Sequence, residues 1–147
     1  MNRLEFEQLR DLPGKIITED IEFHLTQDTA PNFTFESVVV QNELNWNIVL
    51  NGTYKPKIPS VTFNFVLKGV GPICRFCVNG TFHPGSGRTH KHALGMDDDP
   101  RLNLPTAAPI QFGGLSVSQI WQRVCQMSNI THNGVFTEPE EGVIYEN

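Results

Sequence analysis

Val61-Thr62-Phe63-Asn64-Phe65-Val66-Leu67, then Lys68-Gly69-Val70-Gly71-Pro72, then Ile73-Cys74-Arg75-Phe76-Cys77-Val78: this run decides the fold. Val61, Phe63, Phe65 and Leu67 alternate with Thr62, Asn64 and Val66, the period-two pattern of a strand with one buried face. Gly69, Gly71 and Pro72 supply a turn, and Ile73 to Val78 is a second strand that stops at Asn79-Gly80. On that strand Cys74, Phe76 and Val78 share one face, and Arg75, Cys77 and Asn79 the other. Cys74-Arg75-Phe76-Cys77 therefore reads as two structural cysteines, one in the core and one outside it, rather than as a zinc or redox pair.

Working upstream, Trp46, Ile48 and Leu50 lead into Asn51-Gly52, a dipeptide suited to the positive φ angles of a type I′ hairpin turn, with Thr53-Tyr54 opening the return strand. Pro56 and Pro59 cannot donate to a ladder and mark an edge or a loop. Phe33 to Val40 reads as a strand with Phe33, Phe35 and Ser37 on one face and an apolar end. Ile21, Phe23 and Leu25 alternate with Glu22, His24 and Thr26 as one half-buried strand, ended by the turn-rich Gln27 to Asn32. At the N-terminus Leu4, Phe6, Leu9 and Leu12 line a short helix that Pro13-Gly14 ends.

Downstream, Pro100 to Pro109 reads as a long surface connection. Ser116 is a good helix N-cap, Gln119 its capping-box partner, and Leu115 and Ile120 occupy the two staple positions. Ile120, Trp121, Val124 and Met127 follow as an apolar stripe at helical spacing, so the helix lies on the sheet. Trp46 and Trp121 read as core. Beyond Asn129 the chain frays into a loop-like tail, Thr137 to Asn147. These elements predict one α+β domain over 1–147: a curved, mostly antiparallel sheet of five or six strands with one C-terminal helix packed on it. Residues 1–14 form a helix and turn, and 137–147 an acidic tail.

The composition agrees. A chain of 147 residues, 39% hydrophobic with ten Phe, is large enough for one core and too apolar for disorder. No apolar run approaches a membrane span, and the N-terminus lacks a signal-peptide pattern, so a cytoplasmic protein is expected. Three cysteines, an odd number, suit a reducing compartment. The Asn-x-Thr triplets at Asn32, Asn51, Asn79 and Asn129 are then coincidental.

Charge is segregated along the chain. Leu44 to Met96 holds no Asp or Glu but includes Lys55, Lys57, Lys68, Arg75, Arg88 and Lys91, in a protein of net charge −5. Such a cationic part attracts phosphate or carboxylate even though the whole is acidic. Its end carries the richest constellation of the sequence, His83-Pro84-Gly85-Ser86-Gly87-Arg88-Thr89-His90-Lys91-His92. If His90 begins a strand, His90 and His92 share one face while Lys91 takes the other, and a Gly- and Pro-rich loop can return His83 to the same place. His24 and His132 stand alone, and His24, on the polar face of its strand, reads as solvated.

Two chemistries fit a three-imidazole cluster, beside the plain reading of histidines on a polar loop. His83, His90 and His92 suit zinc with water in the fourth position, to which Asp97 to Asp99 would add a carboxylate. Alternatively, two imidazoles act as general base and general acid on RNA, with Arg75, Arg88 and Lys91 holding the phosphate. The absence of carboxylates from the strands leading into the site favours the metal-free scheme, because a magnesium-dependent nuclease needs acidic ligands. There is no GxGxxG, Walker loop, GxSxG or HExxH.

Arg75, Asn79-Gly80, His83, Gly87, Thr89-His90 and His92, with Phe112, Trp121, Cys125 and Asn129-Ile130-Thr131, carry a resemblance. The chain resembles a family of small uncharacterised bacterial proteins, often carried on prophages and mobile elements. Their shared pattern is a strand ending in R-x-x-x-N-G-x-x-H, a Gly-bearing loop and T-H-x-H, closed by a helix and an N-I-T segment. The resemblance spans roughly residues 20 to 131. This chain departs from it after His92, with Ala93-Leu94-Gly95-Met96 in place of an aromatic and charged run. The family's genomic company implies a defence, toxin or counter-defence role.

The sequence thus predicts a small RNA-directed phosphodiesterase, a toxin-like and metal-independent ribonuclease without a cofactor. Its catalytic groups are His83, His90 and His92, and its substrate-binding groups Arg75, Arg88 and Lys91. The alternatives are a zinc-binding protein or hydrolase built on the same three histidines, and a non-enzymatic phage or mobile-element protein. RNA and a protein partner, an antitoxin or host factor, are the partners these readings imply.

Overall fold

The computed structural model describes residues 5, 8, 9, 11–27, 32–57, 59–78, 90–93, 106–109 and 115–139. Its main sheet is antiparallel and runs, in spatial order, β3 (His24–Gln27), β4 (Asn32–Val40), β5 (Ile48–Lys55), β6 (Ser60–Leu67), β7 (Gly71–Val78), β8 (His90–Ala93) and β9 (Thr106–Pro109). Every neighbour in space is a neighbour in sequence, as short connections favour. The α+β architecture is as expected, with β8 and β9 extending the five strands β3 to β7 to seven. The run read as a surface connection, Pro100 to Pro109, ends in the edge strand β9.

Both short parallel pairs tie the two ends of the chain together. β1 (Lys15–Ile17) pairs with β10 (Ile130–His132), and β2 (Ile21–Glu22) with β11 (Phe136–Thr137). The segment after Asn129 is therefore not frayed, and the alternation over 21–26 is divided between β2 and β3, with Leu25 52% exposed. Gly134 sits where the two ends cross, and a Cβ there would stand 2.4 Å from the Glu19 carbonyl oxygen. At the N-terminus, Glu5, Gln8, Leu9 and Asp11 are helical, as the leucine spacing predicts.

The helix α1 (Val117–Met127) starts as its sequence dictates. Ser116 Oγ accepts the Gln119 N–H at 3.2 Å, and Gln119 Oε1 accepts the Ser116 N–H at 2.9 Å. Such a cap contributes about 1 kcal/mol. The helix ends at Ser128, and Asn129 follows at φ 55°, the left-handed position that Asn tolerates. Val117, Ile120, Trp121 and Val124 face the sheet, whereas Met127, read as part of the stripe, is 38% exposed. The core beneath combines Leu50, Tyr54, Val61, Phe63, Phe65, Cys74, Phe76 and Val78 with that helix face.

Two local readings are corrected by the register. Asn51-Gly52 is not a turn; it lies in the middle of β5, and the chain turns instead around Pro56 and Pro59. In β4, Glu36 and Ser37 together oppose the single residue Asn51, because the ladder passes from Phe35↔Gly52 to Val38↔Leu50. This bulge changes the facing of the strand. Val38 and Val40 turn into the core, while Ser37 is exposed at φ 58° and its N–H donates to Asn51 Oδ1 at 2.8 Å. Asn51 closes a bulge, and Gly52 leaves room for the Phe35 ring.

Candidate functional site

The sheet face away from α1 is zoned by register. One row crosses Val39, Val49 and Val66. The next crosses Asn51, Asn64, Arg75, His92 and Ala107. A third runs the full width, through His24, Thr34, Thr53, Thr62, Cys77, His90 and Pro109. Amides, a guanidinium position and a histidine position thus lie side by side on four adjacent strands, and paired residues in such a ladder have Cα atoms about 4.5–5.5 Å apart.

Of the residues that the sequence singles out, the fold brings Arg75, His90 and His92 to neighbouring positions on β7 and β8. His92 is opposite Arg75 and His90 opposite Cys77. Lys91 is opposite Phe76, in the alternate set of positions. His83 and Arg88 belong to the connection between β7 and β8, and Asp97 to Asp99 to that between β8 and β9; all lie outside the described residues. His24 is exposed in the same transverse row as His90, but five strand spacings away, roughly 24 Å. It takes no part in the cluster.

Thr62, Asn64 and Arg75 are half-buried and Cys77 is 8% exposed, so this part of the face is withdrawn from bulk water. A charge there acts with less screening than on an open surface. Asn64 Oδ1 is buried with no hydrogen-bond partner among the described residues. Burial pushes the Cys77 thiol up, and the Arg75 guanidinium and hydrogen bonds with Thr62 and Arg75 offset this only in part. Cys77 is therefore a neutral thiol and no nucleophile. Cys74 and Cys77 are opposite Phe65 and Thr62, on opposite faces as expected, although both are buried. Among the described residues no three His, Cys, Asp or Glu side chains gather as a metal ion requires.

A groove of about 510 Å3 on the other side of the molecule holds Cys125 and His132 beside Trp121 and Gln122. It resembles a cysteine–histidine site only in composition. His132 Nδ1 accepts the Trp121 indole N–H at 3.0 Å, and its Nε2–H reaches the Glu19 carbonyl at 2.8 Å. Both ring nitrogens are thereby committed, and His132, which stands alone in the sequence, is a structural crosslink. Burial pushes the Cys125 thiol from its ordinary 9.0 up to about 12. Between those values the unfolded chain loses its proton first, so stability falls as pH rises above about 9. Urea titrations at pH 8 and pH 10 should show that fall in the native protein and a smaller one in Cys125→Ala; equal falls would refute it.

Trp46 is 39% exposed, contrary to its reading as core. The Asn42 side chain organises its loop, donating from Nδ2 to the Trp46 carbonyl at 2.8 Å and accepting the Trp46 N–H at 3.0 Å. Lys55 and Lys57 lie at the far end of β5, about 25 Å away along the strand, so they form no stacking platform with it. No helix among the described residues is long and apolar enough to cross a membrane. With this geometry in place, comparison with known proteins adds no relative: no family model, curated protein or solved structure matches the chain.

Proposed function

We propose that the β7–β8 face binds the phosphodiester backbone of RNA and cleaves it without a metal ion, as a small toxin-like ribonuclease. The observation that carries this reading is the register that puts His92 opposite Arg75 and His90 opposite Cys77, inside a stretch free of carboxylates. One imidazole takes the proton of the 2′-hydroxyl, whose oxygen attacks phosphorus. The P–O5′ bond breaks, the second imidazole protonates the leaving oxygen, and a 2′,3′-cyclic phosphate forms. Arg75 and Arg88 offset the charge that builds on the phosphorane, Lys91 adds to the local field, and His83 is the third imidazole.

Purified protein should cut a short RNA in the presence of EDTA, and His90→Ala should lower the rate by about 100-fold or more, the usual contribution of an acid or base. Intact RNA would overturn the reading. Stoichiometric zinc in elemental analysis would replace it by the zinc alternative. A folded triple His83, His90 and His92→Ala variant that keeps its cellular effect would replace it by a partner-binding role.

A further inference from the structure

We infer that Asn133-Gly134 is a site of spontaneous deamidation, and that conversion of Asn133 to isoaspartate loosens the clasp joining the two ends of the chain. In this reaction the Gly134 backbone nitrogen forms a bond to Asn133 Cγ, the Cγ–Nδ2 bond breaks, and ammonia leaves with the Gly134 proton. Water then opens the succinimide at either carbonyl, giving aspartate or isoaspartate. A glycine after the asparagine favours closure, because no Cβ hinders the approach and the main chain rotates easily.

The fold treats two copies of this dipeptide differently. Asn51-Gly52 is held in the middle of the sheet: Gly52 is paired with Phe35 on one side and Phe63 on the other, and Asn51 Oδ1 accepts the Ser37 N–H at 2.8 Å. Ring closure there requires the side chain to leave its bond and the strand to leave its neighbours. Asn133 is exposed, in the short link between β10 and β11. Its own N–H donates to the Ile17 carbonyl at 2.8 Å, but the attacking atom, the Gly134 nitrogen, makes no hydrogen bond among the described residues. The third copy, Asn79-Gly80, lies outside the described residues.

The product strikes the clasp. Isoaspartate carries the main chain through the side-chain carbon and so lengthens the link by one bond, between registers that fix Ile17 opposite His132 and Ile21 opposite Phe136. Gly134 already lies against the backbone of Glu19, whose carbonyl also holds His132. The new carboxylate adds a negative charge close to Asp20, whose Oδ1 accepts the Val135 N–H at 2.8 Å.

Incubation of the full chain in mildly alkaline buffer, with and without urea, tests this when fragment mass spectrometry follows each asparagine through the mass difference between water and ammonia. Folded protein should lose the Asn133 amide several-fold faster than the Asn51 amide, and in urea the two should convert alike. An intact Asn133, equal rates in the folded protein, or a preference for Asn133 that persists in urea overturns the inference. The aged native protein should then unfold at lower urea than fresh protein. Asn133→Gln, whose longer side chain closes the ring far more slowly, should keep more of its midpoint after the same incubation; equal losses in the two proteins overturn the effect on the clasp.

Discussion

Replacing Trp121 by alanine is expected to cost about 3–5 kcal/mol of folding stability, the range for removing a large buried aromatic side chain. The indole is 2% exposed and is the junction of three parts of the molecule. It packs against Phe63 of the main sheet at 5.2 Å between ring centroids and stacks on Phe136 of β11 at 5.7 Å and 13°. Its N–H holds His132, which in turn holds the Glu19 carbonyl. Truncation opens a cavity between helix and sheet and also frees the histidine that locks the two chain ends. Domains of this size have about 5–15 kcal/mol in total, so the variant should unfold at much lower urea or fail to fold at 37 °C. Trp121→Phe separates the two contributions in part: it keeps most of the packing and loses the N–H, whose share is about 1 kcal/mol. A loss below 1 kcal/mol in the alanine variant would refute the central role given to this ring.

Gly52→Ala is the second large effect, although it adds a single methyl group. A Cβ on Gly52 would come within 2.0 Å of Phe35 Cε2 and 2.5 Å of its Cζ. The ring is packed by its neighbours, because Phe23 meets it edge-on at 5.0 Å and Phe63 lies 6.3 Å away, and it is 5% exposed. Overpacking a rigid core costs about 1–3 kcal/mol, and this contact belongs at the upper end. Urea denaturation of Gly52→Ala, Phe35→Leu and the double variant should show coupling of about 1 kcal/mol or more, because the smaller leucine vacates the space. Additive losses would mean that the glycine has another purpose.

The same pair shows where reading along the chain stops. Asn51-Gly52 carries the local signature of a hairpin turn, yet Asn51 closes a bulge in β4 and Gly52 accommodates a ring on β4. Both partners are more than a dozen residues away, and only pairing of the strands reveals them. Trp46 failed in the same way: its apolar character suggested burial, while Asn42 holds its loop outside the core. His132 was read as solitary because its partners, Trp121 and Glu19, meet it only through the parallel pairing of β1 with β10 and β2 with β11.

The candidate site was legible in part. Alternation along Ile73 to Val78 separated Cys74 from Cys77 and put Arg75 on the face away from the core, whereas a strand at His90 to His92 entered only as a condition for the two imidazoles to share a face. The neighbour relation between Arg75 and His92 was not legible, since register depends on how β7 and β8 align.

By itself the sequence determined the elements whose signals are local: the strands from Val61 to Leu67 and Ile73 to Val78, and the capped helix from Ser116 to Ser128. Period-two alternation and a capping box act within a few residues, so they need no partner to be recognised. The tertiary structure alone decided which residues face one another across strands, where β4 bulges, and how the two chain ends lock through His132. Those outcomes follow from packing and register between distant segments, and no window of the chain contains both sides of such a contact.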